Sequence, residues 1–351
     1  MNFIKKTYKA IVPKKVRRYI DLRILLKHKD REKYDYYKQW YPKRVSYGRE
    51  NKNKVFYVIR VKEKATGLLS CYLTALTHLK KIDGKQKYYP IVDMKTVWYK
   101  LISDENSFQN GINGWNLFFE DVSSFGMDDI KASRHVYLSD GIGGPHDAMF
   151  FDSTKIDREF IANWTAIDRK YIRLKRPLLE GFESKATVFD GKRVLGTMVR
   201  ESYIVLANAR DANDPLYKTH PGIGGHPKQP ELEKMIADLE ALMKKFDCPY
   251  IFLVCQASCV EDRFREYFGD RLITSGRQRR KVDRLDLKEW IEAPKQIKGS
   301  VYENNVAYLE EIFLLSKCTS LASGKCSGAI VAALWNRGEY ENLEIFQEGV
   351  Y

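Results

Sequence analysis

Residues 194–200 read Val194-Leu195-Gly196-Thr197-Met198-Val199-Arg200, a short apolar run stopped by a cation. Its aliphatic residues fall on both alternating faces, which predicts a strand, Val194–Val199, buried on both sides. The following sequence keeps the same grammar. Pro230–Phe246 carries an apolar stripe at helical spacing, Tyr250–Val254 is a second apolar strand, and Val260–Phe268 a second helix. Arg271–Thr274 predicts a short strand, Val301–Cys318 a helix, Ser320–Ala322 a strand and Ala329–Trp335 a buried helix. Alternation of this kind predicts a parallel sheet with helices on both faces.

The same pattern lies upstream. Val55–Val61 predicts a strand, Gly67 a turn, and Leu68–Leu79 a helix with Leu69, Tyr72, Leu73, Leu76 and Leu79 on one face. Tyr89–Val92 predicts the next strand, closed by Asp93. Asn106–Trp115 and the glycine-bearing Ser139–Phe151 predict long loops, which in compact domains are often functional. The expectation is an α/β chain with two Rossmann-like units, 51–185 and 186–351, behind an N-terminal arm of residues 1–50. The tail Tyr340–Tyr351 fits either unit.

At 351 residues, 44% hydrophobic and 30% charged, the composition is that of a soluble globular protein of about two domains. The longest apolar run, Ala329–Trp335, falls far short of the ~20 residues of a membrane-spanning helix. No apolar h-region follows the first lysines, so no cleaved secretory signal is expected. Six cysteines with no second pair to complete Cys255 and Cys259 predict buried free thiols rather than a zinc site.

The formal charge is +14, and most of that excess lies between Lys5 and Lys29, where ten cations face only Asp21. Phe3, Ile4, Tyr8, Ile11, Val12, Tyr19, Leu22, Leu25 and Leu26 are interleaved with them, and Pro13 divides the run. Two short basic amphipathic helices fit an anionic membrane surface, or equally an arm packed on its own protein. No nucleic-acid motif accompanies the charge, so no nucleic-acid partner is expected.

Several chemistries are excluded by missing motifs. The chain has no G-x-x-x-x-G-K-[ST] loop, no H-E-x-x-H, no G-x-S-x-G, and no G-x-G-x-x-G at its first glycine turn. No aspartate has another two residues away, so an Asp-x-Asp clamp for a metal-bound diphosphate is absent. A diphosphate would have to be met by helix N-termini and arginines. Three loci suit that role: Gly67 and Leu68 between strand and helix, Arg200 at a strand's carboxyl end, and Ser323-Gly324-Lys325-Cys326-Ser327-Gly328 before a helix. Each also has a plain structural use, as turn, surface ion pair or helix cap.

The run Val194–Arg200, followed by Gly225-His226-Pro227-Lys228-Gln229-Pro230, resembles the fucosyltransferase-like superfamily of α1,6-, nodulation and protein O-fucosyltransferases and bacterial polysaccharide-type members. Leu314-Leu315-Ser316-Lys317-Cys318 with Ser323–Gly328 is similar to its nucleotide-diphosphate loop. Gly67-Leu68-Leu69-Ser70, Tyr89–Asp93 and Asn113–Glu120 resemble the opening of its acceptor domain, so the resemblance runs in order over about residues 55–351. It implies a GT-B fold, two Rossmann-like domains facing a cleft, and metal-independent inverting transfer of a fucose-like sugar from a GDP-sugar. No cofactor beyond that donor is implied. By resemblance, Arg200 neutralises the departing β-phosphate, His226 lies near the nucleotide, and Ser323, Gly324 and Ser327 serve the phosphates. Met198 stands where the group has histidine, and Arg200-Glu201-Ser202-Tyr203 lacks the group's aspartate. A catalytically degenerate nucleotide- or glycan-binding protein is the alternative.

Inverting transfer calls for a base to accept the acceptor's proton. Asp93, Glu201 and Asp140 are the candidates, and the sequence does not choose among them. The acceptor expected is a glycan or lipid-linked oligosaccharide in surface polysaccharide synthesis, with the enzyme peripheral on the cytoplasmic membrane face through residues 1–30.

Overall fold

A computed structural model describes residues 43–60, 67–85, 88–94, 113–139, 156–208, 226–293 and 300–350. Residues 1–42 of the expected arm and Asp140 lie outside the described residues, while 43–45 at the arm's end join the first sheet. The first sheet holds β1 (Lys43–Val45), β2 (Val55–Arg60), β3 (Tyr88–Asp93) and β4 (Val136–Leu138), with α1 (Leu68–Ile82) between β2 and β3 and α2 (Met127–Lys131) before β4. Its order is β1-β4-β2-β3; β2 pairs in parallel with both β3 and β4, and β1 runs antiparallel on the edge.

Helices α3 (Arg158–Tyr171) and α4 (Arg176–Ala186) lead to the second sheet. There follow β5 (Val194–Met198), α5 (Glu201–Asn208), α6 (Leu232–Lys245), β6 (Tyr250–Val254), α7 (Ser258–Phe268), β7 (Leu272–Ile273), α8 (Leu287–Glu292), α9 (Val301–Lys317), β8 (Ser320–Gly324), α10 (Ser327–Trp335) and β9 (Asn342–Phe346). The sheet is wholly parallel, in the order β7-β6-β5-β8-β9. The alternating α/β architecture is therefore as expected, with two parallel-rich sheets.

The pleat explains the layering. In β2, Tyr57 and Ile59 enter the core between the sheets, while Phe56 and Val58 join Ile91, Ile130 and Val136 on the outer face. In β5, Val194 and Met198 face the same central core, and Leu195 and Val199 pack with α6 and α7. Gly196 lies where α9 presses closest: a Cβ there would sit 2.6 Å from Leu315 Cδ1 and 3.0 Å from Cys318 Sγ. Helix α9 begins with a reciprocal cap, Ser300 Oγ accepting from Glu303 N at 3.1 Å and Glu303 Oε2 accepting from Ser300 N at 2.6 Å.

One apolar core joins the two sheets. Helix α10 packs against α1, α3 and α9, and α4 packs on α9 through Phe182 and Phe313 and the Lys185–Glu310 ion pair at 2.7 Å. Helices α3 and α4 come at the end of the expected first unit, and α4, which spans the expected boundary at 185/186, leans on the second unit. The tail joins the second sheet as β9, beside β8. All six cysteines are free, and five are buried.

The seam between the units also holds a buried polar chain. Trp335 Nε1 donates to Tyr72 Oη at 2.8 Å, and the Tyr72 hydroxyl donates to Asp168 Oδ1. Asp168 is 5% exposed, and burial pushes its carboxyl from 3.8 up to about 7, against the pull of Tyr72 and Arg337. A carboxyl raised in this way binds its proton more tightly in the folded state. Its contribution to stability is complete below about pH 3.8 and is lost as pH rises toward 7. Over that window the slope from this one group reaches about 1.4 kcal/mol per pH unit. Asp168→Asn should remove this component, giving a flatter pH profile of urea unfolding between pH 4 and 7 than the wild type.

Candidate functional site

The second sheet changes direction between β5 and β8: the chain builds outward from β5 to β6 and β7, then returns to lay β8 and β9 on the other side. At such a switch point the connections diverge, leaving a crevice outside the carboxyl ends of the strands where ligands bind. Arg200 and Glu201 emerge there from β5, and Lys325, Cys326 and Ser327 from β8.

Arg200 is half-buried, with its guanidinium 5.3 Å from the centre of the Tyr203 ring. Burial works against its charge, but Tyr203, Tyr308, Cys326 and Glu201 outweigh it, so its pKa lies above the ordinary value. Among the described residues it has no ion-pair partner. Glu201 does not supply one. It is wholly buried at the start of α5, and its Oε1 accepts from Gln256 N at 2.5 Å and Ala257 N at 3.0 Å. Burial raises its carboxyl pKa against the pull of those amides and of Arg200. The expectation that Glu201 faces an acceptor as base is thereby corrected: its carboxylate ties β5 to the turn that opens α7.

The β8–α10 turn also differs in detail from expectation. Ser323 is inside β8, buried, and its hydroxyl donates to Met198 O at 3.1 Å, so it is not turned to a ligand. Gly324 is covered: a Cβ there would lie 2.1 Å from Gln229 Oε1, and Gln229 Nε2 donates to Lys325 O at 3.0 Å. Ser327 is half-buried as the first residue of α10. The helix has Cys326 at its N-cap with no side-chain cap bond, and Cys326 Sγ lies 3.6 Å from Met198 Sδ. Gly328 belongs to the same contact, since a Cβ would meet Met198 Sδ at 2.3 Å. Met198 thus fills an apolar position under the helix, where the resembled group carries histidine.

His226 stands on the rim, edge-on to Tyr203 with ring centres 5.1 Å apart. Its segment is fastened to the tail by Lys228 N donating to Gly349 O at 2.9 Å and by the Pro227–Val350 bridge. The structure therefore gathers Arg200, Tyr203, His226 and Ser327 at one edge. Gly67, Leu68 and Asp93 belong to the first unit. Gly67 is the exposed N-cap of α1, Leu68 is buried in the central core so that only its backbone is open to a ligand, and Asp93 ends β3 half-buried, in register with Arg60.

Tyr203 and Gln229 border this edge, and Arg277, Tyr308 and Glu311 form a cluster after β7; none of these was singled out from sequence. The signal for Arg277 was present as the basic run 277–281 directly after a short strand. Tyr308 and Glu311, three apart on α9, look like any amphipathic pair until the fold is known.

A cavity of about 900 Å³ lies at the opposite, amino edge, lined by Asp168, Arg173, Phe313, Lys317, Trp335 and Arg337 among others. Helices α3, α9 and α10 all end there, and basic residues near helix C-termini are explained by the dipoles they offset. Among the described residues no cluster of three or more His, Cys, Asp or Glu could hold a metal ion, and no helix is long and apolar enough to cross a membrane.

No protein-family model and no curated protein matches the chain. Among solved structures, the chain is similar to a NodZ alpha-1,6-fucosyltransferase soaked with GDP-fucose, at 14% identity over 80% of this chain and 92% of that one, with a TM-score of 0.42. It is similar to fucosyltransferase NodZ from Bradyrhizobium at 12% identity, covering 81% and 92%, with a TM-score of 0.37. The similarity to POFUT1 in complex with GDP is 10% identity over 83% and 98%, with a TM-score of 0.41.

The buried tie at Glu201 has a measurable consequence. Glu201→Ala leaves two amide donors, the half-buried Gln256 N and the buried Ala257 N, without their acceptor. Urea unfolding should show a loss of about 2–6 kcal/mol, at 1–3 kcal/mol per stranded donor. Glu201→Gln, which keeps an accepting oxygen, should lose less.

Proposed function

We propose that the chain is a metal-independent, inverting glycosyltransferase that takes its sugar from a nucleoside-diphosphate donor, GDP-linked and fucose-like by sequence resemblance. The observation that carries the reading is Arg200: a guanidinium without an ion-pair partner among the described residues, at the carboxyl end of β5 beside the N-terminus of α10. A fixed cation and a helix N-terminus at a switch point suit a diphosphate leaving group.

In the reaction, an acceptor hydroxyl attacks the anomeric carbon from the face opposite the diphosphate. The bond from that carbon to the β-phosphate oxygen breaks, its electron pair stays on the phosphate, and the sugar's configuration inverts. Arg200 stabilises the charge growing on that oxygen, in the role a metal ion plays in other transferases. The acceptor's proton passes to a carboxylate. With Glu201 committed to backbone amides and Asp140 outside the described residues, Asp93 at the end of β3 is the candidate we assign to it. Gly67 at the N-cap of α1 and His226 beside Tyr203 would border the donor, and Ser327 its phosphates. The two Rossmann-like units would present their carboxyl edges to one cleft, as in a GT-B enzyme. The acceptor is a glycan or lipid-linked saccharide, and the basic segment 1–30 suits an anionic membrane surface that holds such a lipid.

Calorimetric titration with GDP, UDP, CDP, ADP and GMP, with and without EDTA, tests this reading. Diphosphate binding over monophosphate, insensitive to EDTA, is expected. Arg200→Met should weaken the diphosphate tenfold or more and cut turnover by about 10²–10³ through kcat. Binding of no nucleotide would overturn the reading. Tight binding without transfer from any nucleotide-sugar would leave a binding protein of the same fold.

A further inference from the structure

The carboxyl edge of the second sheet holds another arginine, two strands over from Arg200. Arg277 follows β7, immediately after Gly276, whose φ of +73° is a left-handed turn position. Its side chain is 13% exposed, and Nη1 donates to Glu311 Oε2 at 2.8 Å. Nε is buried and has no acceptor. The guanidinium lies 5.7 Å from the centre of the Tyr308 ring. Tyr308 is shared ground: Arg200 and Arg277 both act on its hydroxyl electrostatically, and it in turn acts on Arg200.

Glu311 explains how this arginine is aimed. It is wholly buried and accepts from Ser275 Oγ at 2.7 Å, from Arg277 and from Arg279 Nη1. Arg279 is further fixed by Glu261 at 2.5 Å and Cys255 O at 2.9 Å. Glu311 is shared between two guanidinia while Arg279 also has Glu261, so Arg277 holds only part of one carboxylate. A planar fork clamped at one nitrogen, with a buried donor left over, is arranged to receive a second anion.

We propose that Arg277 and the Tyr308 hydroxyl form a second anion-binding arm of the Arg200 site, so that a nucleoside diphosphate is held between two arginines. Glu311 is the positioning residue that fixes the plane of Arg277. The proposal rests on the nucleotide-sugar reading of the site.

The test compares the best-bound nucleoside diphosphate with its parent nucleoside, titrated onto the full chain. Arg277→Gln should weaken the diphosphate about tenfold or more, the loss of one charge-assisted contact, and leave the nucleoside unchanged. Tyr308→Phe should weaken the diphosphate by a smaller factor with the same selectivity. Arg277→Lys, which keeps the charge and reach to Glu311, covers the case in which the glutamine variant does not fold, and should give an intermediate loss. Equal loss for nucleoside and diphosphate would make Arg277 a structural ion pair and overturn the proposal. So would unchanged diphosphate affinity in Arg277→Gln while Arg200→Met loses it, an outcome that leaves the reading of Arg200 standing. A wild-type chain that binds no nucleoside diphosphate removes the reading and this proposal together.

Discussion

Gly328 has no side chain, and the sulfur of Met198 fills the space one would take. The first turn of α10 can therefore lie directly on the end of β5, and much of the molecule follows from that contact. It lets α10, apolar and buried from Ala329 to Leu334, sit deep enough to reach α1 and α3 from the first unit. It also delivers the first amides of α10 beside Arg200. The cap residue is Cys326, and burial raises its thiol pKa against the pull of the amides of Ala329 and Gly328 and the charge of Arg200. A neutral thiol is a weak acceptor, so the partial positive charge of the helix terminus is left largely uncompensated by its own cap.

Charges at this edge divide by what they are tied to. Glu201 holds backbone amides, Glu311 holds two arginines and a serine, and Glu261 holds Arg279 and Arg265. Each buried carboxylate fixes the position of something else, which is how buried charges become tolerable. Arg200 alone among the groups at the end of β5 is surrounded by rings and a thiol instead of a carboxylate. A guanidinium stacked on aromatic faces keeps its charge without giving its donors away.

The strands buried on both faces were legible in the sequence because their apolar residues form unbroken runs: Tyr250–Val254 has the bounds expected, and β2, β3, β5 and α1 lie within a few residues of theirs. Strands β1 and β4, three residues each, and the mixed β9 carry too little pattern to be seen before their partners are known. Helices α3 and α4 were missed because arginine, lysine and glutamate interrupt their apolar stripes, whose burial depends on the other unit. Arg200 was legible from its place at the end of a strand. Ser323 was misplaced because β8 runs two residues further than its β-branched and aliphatic content shows, carrying that hydroxyl into the ladder. Arg277 and Tyr308 meet only through tertiary structure, across 31 positions of chain, and no local spacing announces such a pair.

Helix α10 also sets how far the two halves can move independently. At nine residues it is roughly 13 Å long, with Ser327 at the crevice and Trp335 bonded to Tyr72 of α1 at the other end. Beyond Gly328 it contains neither glycine nor proline, so it has no residue at which a helix readily bends. A displacement of the first unit away from the crevice must therefore break the Trp335–Tyr72 bond and strand the buried Asp168, or shear an apolar core shared by both sheets. Both are costly in ways that a hinge between separate domains is not. The consequence is that access to the crevice is set at the rims of the strands' carboxyl ends, while the cations and helix terminus beneath stay where the core holds them. For the transfer we propose, that division serves charge as it develops, since groups already fixed in place need no rearrangement when the bond breaks.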